Sequence, residues 1–445
     1  MNPNQWLRYV GWPLVLVLMM PMVTASAEAE WKEKVLYSFQ GGSDGQTPAG
    51  GVVFDKAGNL YGVTNEGGST CPSPGCGTVF QLAPPTQKGG PWTETILYGF
   101  NGTDGSIPVG GAIIDGNGNL YGTTAYGGSG TCLLFGDNVG CGVVYELSPP
   151  TKKGGQWTYT VLYNFQGGKD GLFPWGDLVF DKNGNLYGAT QFGGGKGTTC
   201  NQYFDGNCGT VFELSPPKQK GGRWREKILH SFAGGTDGAA PNGGLVLDSK
   251  GAIYGTTFIG GYNCPHNSGQ GCGTTFKLSP PATKGDQWTE SILHRFKAKN
   301  DGANPSAGMT FDRRGYLYGT SDAAIFRMTP PGYGAGSWKQ TILYKLNNEA
   351  YDPEGALIFD QSGNLYGTTY SSDAFHGTSF RLKPPSRKGG NWTFGILYGF
   401  AGPPDGGQPA AALIFDKLGN LYGTTQKGGT GSCTFGCGAV FEISP

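Results

Sequence analysis

The stretch Gly50-Gly51-Val52-Val53-Phe54-Asp55-Lys56-Ala57-Gly58-Asn59-Leu60-Tyr61-Gly62-Val63-Thr64 decides the reading of this chain, because it returns six more times with nearly constant spacing. The later copies end in Tyr121-Gly122, Tyr187-Gly188, Tyr254-Gly255, Tyr318-Gly319, Tyr366-Gly367 and Tyr422-Gly423, and a proline stands seven residues ahead of the Asp in every copy. Self-similarity at a fixed period overrides the usual inference from 445 residues to two or three domains, so one domain built of repeats is expected.

Working outward from that stretch, each repeat divides into four short apolar segments. In the second copy they are Trp92 to Phe100, Gly110 to Asp115, Asn119 to Thr124 and Gly142 to Leu147. All are rich in β-branched and aromatic residues and are bounded by Gly, Pro, Asn and Asp, which is strand patterning, and no window sustains a helical period. The Asp-x-x-Gly-Asn between the second and third segments predicts a tight hairpin, with Gly at positive φ and the Asp side chain bonded to the turn backbone. The Trp-containing segments begin at Trp31, Trp92, Trp157, Trp224, Trp288, Trp338 and Trp392. Seven repeats of 50 to 67 residues, each with four antiparallel strands, predict an all-β, seven-bladed β-propeller spanning 28–445. A linear solenoid is the competitor, but its end repeats should be atypical and here they are regular. If the Gly-Gly-Val-Val-Phe-Asp strand is innermost, the last blade lacks an outer strand, and the N-terminal segment 31–39 is expected to supply it.

Composition narrows the function classes. Lys+Arg and Asp+Glu both number 32, so no net field draws the chain to nucleic acid. The 82 glycines are balanced by 13% aromatic residues and regular alternation, which argues for packed β-structure with many turns. Arg8, the apolar run Val10 to Val23 and Ala25-Ser26-Ala27 read as a secretory signal peptide over 1–27, rather than a retained anchor. All ten cysteines follow it in close pairs: Cys71 with Cys76, Cys132 with Cys141, Cys200 with Cys208, Cys264 with Cys272, and Cys433 with Cys437. In an exported chain these predict five local disulfides; the metal-site alternative lacks converging ligands, since His266 is the one histidine inside a cysteine loop.

The units Asp-Gly-x-x-Pro, Gly-Gly-x-x-Phe-Asp-x-x-Gly-Asn-Leu-Tyr-Gly-Thr-Thr, Gly-Thr-Val-Phe-x-Leu-x-Pro-Pro and Trp-Thr-x-x-Ile-Leu-Tyr-x-Phe resemble the tandem repeat of the GloVer family, exported bacterial proteins termed choice-of-anchor because their C-termini differ. The resemblance runs over essentially the whole chain after the signal segment. It implies export and repeat architecture, and no activity. No apolar anchor follows the last repeat, so a secreted or periplasmic protein without a membrane anchor is expected.

Alternating strand direction puts the Asp-Gly-x-x-Pro loops and the cystine loops on one face, where a ligand site is expected around the channel mouth. Asp44, Asp104, Asp170, Asp237, Asp301 and Asp405 recur there, with Glu349 in the seventh place. A carboxylate ring could bind Ca2+; the stronger reading is that each Asp bonds its own turn, and no other cofactor is expected. His230 and His294 replace the Tyr of the outer strand and read as packing substitutions. The fifth and sixth repeats lack cysteines and have short loops after Thr320 and Thr369, which leaves a low sector in the rim. Tyr126, Trp175, Phe192, Phe258, Tyr262 and Tyr370 stand irregularly on the same face, and weakly charged aromatic platforms suit sugar rings. No catalytic constellation stands out, so the preferred reading is an exported, monomeric binding or interaction propeller for a glycan, another surface component or an envelope protein. The first alternative is a propeller enzyme of polysaccharide lyase, hydrolase or lactonase type with its site at the channel mouth. The second is an envelope scaffold without a small ligand. A symmetry-breaking carboxylate cluster in the channel would favour the enzyme.

Overall fold

Seven four-stranded antiparallel sheets follow one another around a ring, giving a seven-bladed β-propeller. In this computed structural model residues 30–445 are described, apart from 69, 70, 196–199, 201–207, 220, 263, 265–269, 284, 300, 333–335, 348 and 349. The expected signal segment, Glu349 and His266 lie outside the described residues. The chain divides into Met1–Glu30 and a compact unit, Trp31–Pro445, which is the propeller.

Blade 1 shows the order, from the axis outward: Val53–Phe54, Leu60–Thr64, Thr78–Ala83 and Thr93–Gly99. Each outer strand leads across to the inner strand of the next blade. In blade 7 the order is Ile414–Phe415, Leu421–Thr425, Ala439–Ser444 and then Lys32–Ser38, so the N-terminal strand completes the last blade. Its register runs from Lys32 opposite Ser444 to Ser38 opposite Ala439. The expected closure is present, and it covers a sheet edge that would otherwise stand open.

The repeated residues have identifiable tasks. Asp55 Oδ1 accepts the backbone N–H of Ala57 and of Asn59, at 2.8 and 2.9 Å, and Oδ2 accepts Asn59 Nδ2 at 2.7 Å and the Tyr61 hydroxyl at 3.1 Å. That one carboxylate closes the hairpin and ties down the tyrosine of the next strand. The ring of Tyr61 meets Trp157 of the following blade edge-on, 5.9 Å between centroids, and Tyr422 meets Phe54 likewise at 5.1 Å. The glycine after this tyrosine leaves room for the third strand's aromatic ring: a Cβ on Gly62 would lie 2.5 Å from Phe80 Cζ. Buried side chains gather in clusters that join successive blades, as where Phe165 at the end of blade 2 packs on Phe212 of blade 3 at 5.2 Å. Every blade's third and outer strands are offset by a bulge, between Val79 and Phe80 in blade 1, which adds twist at the periphery.

All five expected disulfides form: Cys71 with Cys76, Cys132 with Cys141, Cys200 with Cys208, Cys264 with Cys272, and Cys433 with Cys437. No described cysteine is free. The carbonyl of the second cysteine in each pair receives an N–H from the next blade. Cys76 accepts from Ile107, Cys141 from Phe173, Cys208 from Ala240, Cys272 from Asn304 and Cys437 from Thr47, at 2.7 to 2.9 Å. Those five donors have φ between 48° and 57°, a region unfavourable for side-chain-bearing residues. The same strained latch runs from Gln408 to His376 and from Asp352 to Asp322 where there is no cystine, so it belongs to the blade junction itself. Among the described residues no helix is long and apolar enough to cross a membrane.

Candidate functional site

At the axis the segments that open the inner strands touch one another. A Cβ on Gly50 would come within 2.8 Å of Gly111 N, one on Gly243 within 2.5 Å of Ala307 O, and one on Gly355 within 2.3 Å of Ala411 O. Successive blades meet backbone to backbone, which is why this position is Gly or Ala all round the ring. The ring borders a cavity of about 530 Å³ to which all seven blades contribute.

Against the small residues at the ring, three large side chains stand out. Where blades 1, 2, 4 and 5 have Gly51, Gly111, Gly244 and Gly308, blade 3 has Asp177. Where blades 1 and 7 have Ala49 and Ala410, blade 3 has Trp175 and blade 6 has Glu354. All three large side chains line the cavity, together with Asn65, Asn242, Ser306, Phe258 and Gln426. The backbone departs from symmetry at the same place. Gly176 has φ of 84°, in contrast to the equivalent Gly50, Gly110, Gly243 and Gly355, and pairing with the neighbouring strand shifts between Trp175 and Val179. A bulge of this kind re-aims side chains.

Asp177 occupies the space that the glycines of its two neighbouring blades leave vacant. Its Oδ1 accepts the Gly111 N–H at 2.6 Å, and a Cβ on Gly244 would stand 3.5 Å from its own Cβ. The side chain is exposed to the channel, in the narrow ring that the neighbouring blades form around it. Access matters for a ligand and enclosure for charge: the surrounding protein raises the proton affinity of Asp177, and the Gly111 N–H opposes this only in part. Glu354 stands across the ring, in the low sector of the rim. It too is open to the channel, and partial enclosure together with the nearby Asp352 carboxylate pushes it up to about 7. The low sector is real: only Asp322 and Ala323 separate Leu317–Ser321 from Ala324–Thr329.

Of the six aromatic residues expected at the mouth, Trp175 and Phe258 line the cavity. Tyr370 is close enough to Glu354 for the carboxylate to raise its hydroxyl, after the larger effect of burial. Tyr262 is 48% exposed, with Lys297 Nζ 5.0 Å from its ring centre. Tyr126 and Phe192 instead pack with Phe173 in the core between blades 2 and 3. The strand's period of two explains this: they follow Ala125 and Gln191 and point to the opposite side. Asp177 and Glu354 are not among the residues expected from the sequence. Their signal is a departure from the repeat in two columns: Asp177 where the other blades have Gly or Ala, and Glu354 where they have Ala49, Val109, Trp175, Asn242, Ser306 and Ala410.

The recurring aspartates act in their own turns. Asp44 accepts the Tyr37 hydroxyl and the Gln40 N–H, both at 2.6 Å, and Asp170 and Asp405 accept the corresponding Tyr163, Gln166, Tyr398 and Ala401 donors. Asp104 does the same with Tyr98 and Asn101. In the two remaining blades histidine takes the tyrosine's place, with His294 Nε2 3.0 Å from Asp301 and His230 Nε2 3.5 Å from Asp237. The histidines are therefore partners of the aspartates as well as packing residues.

No protein-family profile matches the chain, and no curated protein matches it. Solved structures with similar outline include the PQQ-bound aldose sugar dehydrogenase of Streptomyces coelicolor, at 12% identity and TM-score 0.44 over 94% of this chain and 99% of that one. The calcium structure of a Trichoderma reesei carbohydrate-active enzyme of family AA12 aligns at 11% identity and TM-score 0.44, covering 94% and 96% of the two chains. A protein of unknown function from Dyadobacter fermentans aligns at 12% identity and TM-score 0.45, covering 94% and 99%.

Proposed function

We propose that this is an exported propeller enzyme that acts on a carbohydrate in the central cavity, with Asp177 as its proton-handling group and Glu354 as the second carboxyl. The observation that carries this reading is Asp177 itself, a carboxyl with raised proton affinity, open to the cavity, at a place where the other blades have only Gly or Ala. Of its two oxygens, Oδ1 braces blade 2 by accepting the Gly111 N–H. A carboxyl with raised proton affinity is suited to general acid or base work; Asp177 is shifted in that direction and Glu354 is pushed up to about 7. Trp175 offers a face for a sugar ring, and the amides of Asn65, Asn242 and Gln426 offer partners for hydroxyl groups. Asn65 Oδ1 is buried and accepts no hydrogen bond from the protein. The five disulfides support function in an oxidising compartment, secreted or periplasmic.

A second reading, binding of a glycan without turnover, is favoured by Trp175 and Phe258 at the same cavity. One experiment separates the two. The purified protein is incubated with polysaccharides, oligosaccharides and sugar lactones, with and without Ca2+, and the products are analysed. Enzymatic action predicts new products and a loss of about 10²-fold or more in Asp177→Asn, which keeps an oxygen for the Gly111 N–H but removes the acid. Saturable binding of unaltered sugar that Trp175→Ala abolishes would replace the enzyme reading with the binding one. Neither products nor binding would remove both and leave a scaffold.

A further inference from the structure

On the outer rim, far along the sheets from the channel, each turn aspartate faces the outer strand of the following blade. Asp44 meets Glu94 there, Asp170 meets Glu226, Asp405 meets Glu33, and Asp237 meets Glu290. In the first three sets the remaining member is a tyrosine, Tyr37, Tyr163 or Tyr398, whose hydroxyl donates to the aspartate. In the fourth it is His230. The result, unique among the described residues, is a histidine nitrogen and two carboxylates from two blades whose ligand atoms all lie within 4.8 Å of one another.

The neighbouring blade provides an internal comparison. There His294 and Asp301 form a direct contact at 3.0 Å, and the third place is taken by Gln340, which donates to the Asp301 carbonyl at 3.0 Å. With Glu290 in that place, His230 Nε2 and Asp237 Oδ2 stand 3.5 Å apart. Two ligands bound to one tetrahedral ion at ~2.1 Å are separated by roughly 3.4 Å. His230 Nε2 and Glu290 Oε1 are both buried, and both are set against the Asp237 carboxylate; Glu33, Glu94 and Glu226 bury the same oxygen opposite their own aspartates, so the imidazole nitrogen is what sets this group apart. An imidazole nitrogen and two carboxylates brought this close are costly unless something positive, a proton or a metal ion, stands between them.

We infer that His230, Asp237 and Glu290 bind one first-row divalent transition-metal ion of the Zn2+ or Mn2+ type, which clamps blade 3 to blade 4. The imidazole nitrogen selects against Ca2+ and Mg2+, which prefer oxygen ligands. The His230 and Asp237 side chains are 17% and 23% exposed, so water can complete the coordination. The ion's place at the rim gives it a structural task, separate from the proposed chemistry at the axis.

The test uses the whole protein, purified without a polyhistidine tag, stripped with a chelator and dialysed against Zn2+, Mn2+ or Ca2+ in turn. One equivalent of Zn2+ or Mn2+ should be retained, and the unfolding temperature should rise with the logarithm of its free concentration, while Ca2+ has no such effect. Two variants copy residues that other blades already carry at these places, so both should fold: His230→Tyr and Glu290→Gln. Each should reduce the retained metal from one equivalent to none and make the unfolding temperature indifferent to Zn2+ and Mn2+. No retention by the wild type, or retention unchanged in both variants, overturns the inference and leaves a carboxyl pair that shares a proton.

Discussion

Removing the ring of Phe39 tests whether the propeller is held closed by its N-terminal strand. Phe39 follows the outer strand Lys32–Ser38 of blade 7, is fully buried, and packs edge-on against Phe80 of blade 1 at 5.1 Å and Tyr37 at 5.3 Å. Its N–H is bonded to Gly438 O at 3.0 Å, beside the pairing with Ala439–Ser444. Phe39→Ala removes a fully buried aromatic side chain, which costs about 3–5 kcal/mol. Phe232→Ala is the matched control: Phe232 is equally buried and lies 5.2 Å from Phe276, but its strand is anchored in the chain at both ends. Both variants should lose about the same stability in urea unfolding followed by tryptophan fluorescence. Only Phe39→Ala should also expose residues 31–39 to protease before the main transition, because that strand has no preceding blade to restrain it. A cost below about 1 kcal/mol would overturn this account of closure. So would cleavage within 31–39 that leaves the rest of the protein at full stability.

Two further predictions concern the blade contacts and the axis. Burial and the facing Asp405, Asp44 and Asp170 push Glu33, Glu94 and Glu226 up to about 8, 7 and 8. The folded state holds these protons more tightly than the unfolded chain, so their contribution is fully present below the unfolded value near 4.5 and is lost as pH rises through 7 to 8. The urea midpoint should fall as pH rises from about 4.5 to about 8, and Glu94→Gln should flatten the slope; an unchanged slope in that variant would contradict the assignment. At the axis, Gly355→Ala places a Cβ 2.3 Å from Ala411 O and should cost about 1–3 kcal/mol, whereas Gly395→Ala on an exposed outer strand meets no atom within 4 Å and should change stability little. Equal effects in thermal unfolding would mean that the ring is not tightly closed.

Asp177 and Trp175 mark the boundary between what can and cannot be read in the chain. Trp175 stands out as an aromatic residue where the repeat has none. Asp177 lies two positions on, in a column that is otherwise Gly or Ala throughout this chain, and the departure is visible without being informative. An aspartate in a glycine-rich loop is usually a turn residue, as Asp44 and Asp170 prove to be. What distinguishes Asp177 is that its neighbours Gly111 and Gly244 come from the adjoining blades. Tyr126 and Phe192 go the other way, into the core, because a shift of one residue along a strand reverses the side a ring faces.

Blade number, strand order, closure by the N-terminal segment and the pairing of the cysteines all follow from pattern along the chain. Each depends on residues that are near neighbours in sequence or at equivalent places in successive repeats, as Cys200 with Cys208 and Cys264 with Cys272 are, so period, turn chemistry and spacing carry them. Which departures from the repeat come together is a matter of the folded ring instead. The cavity draws on seven segments separated by whole blades, and the His230, Asp237 and Glu290 group draws on the outer strands of two. Proton affinity and ligand geometry depend on distances of a few ångströms across those gaps, and only the closed ring sets them.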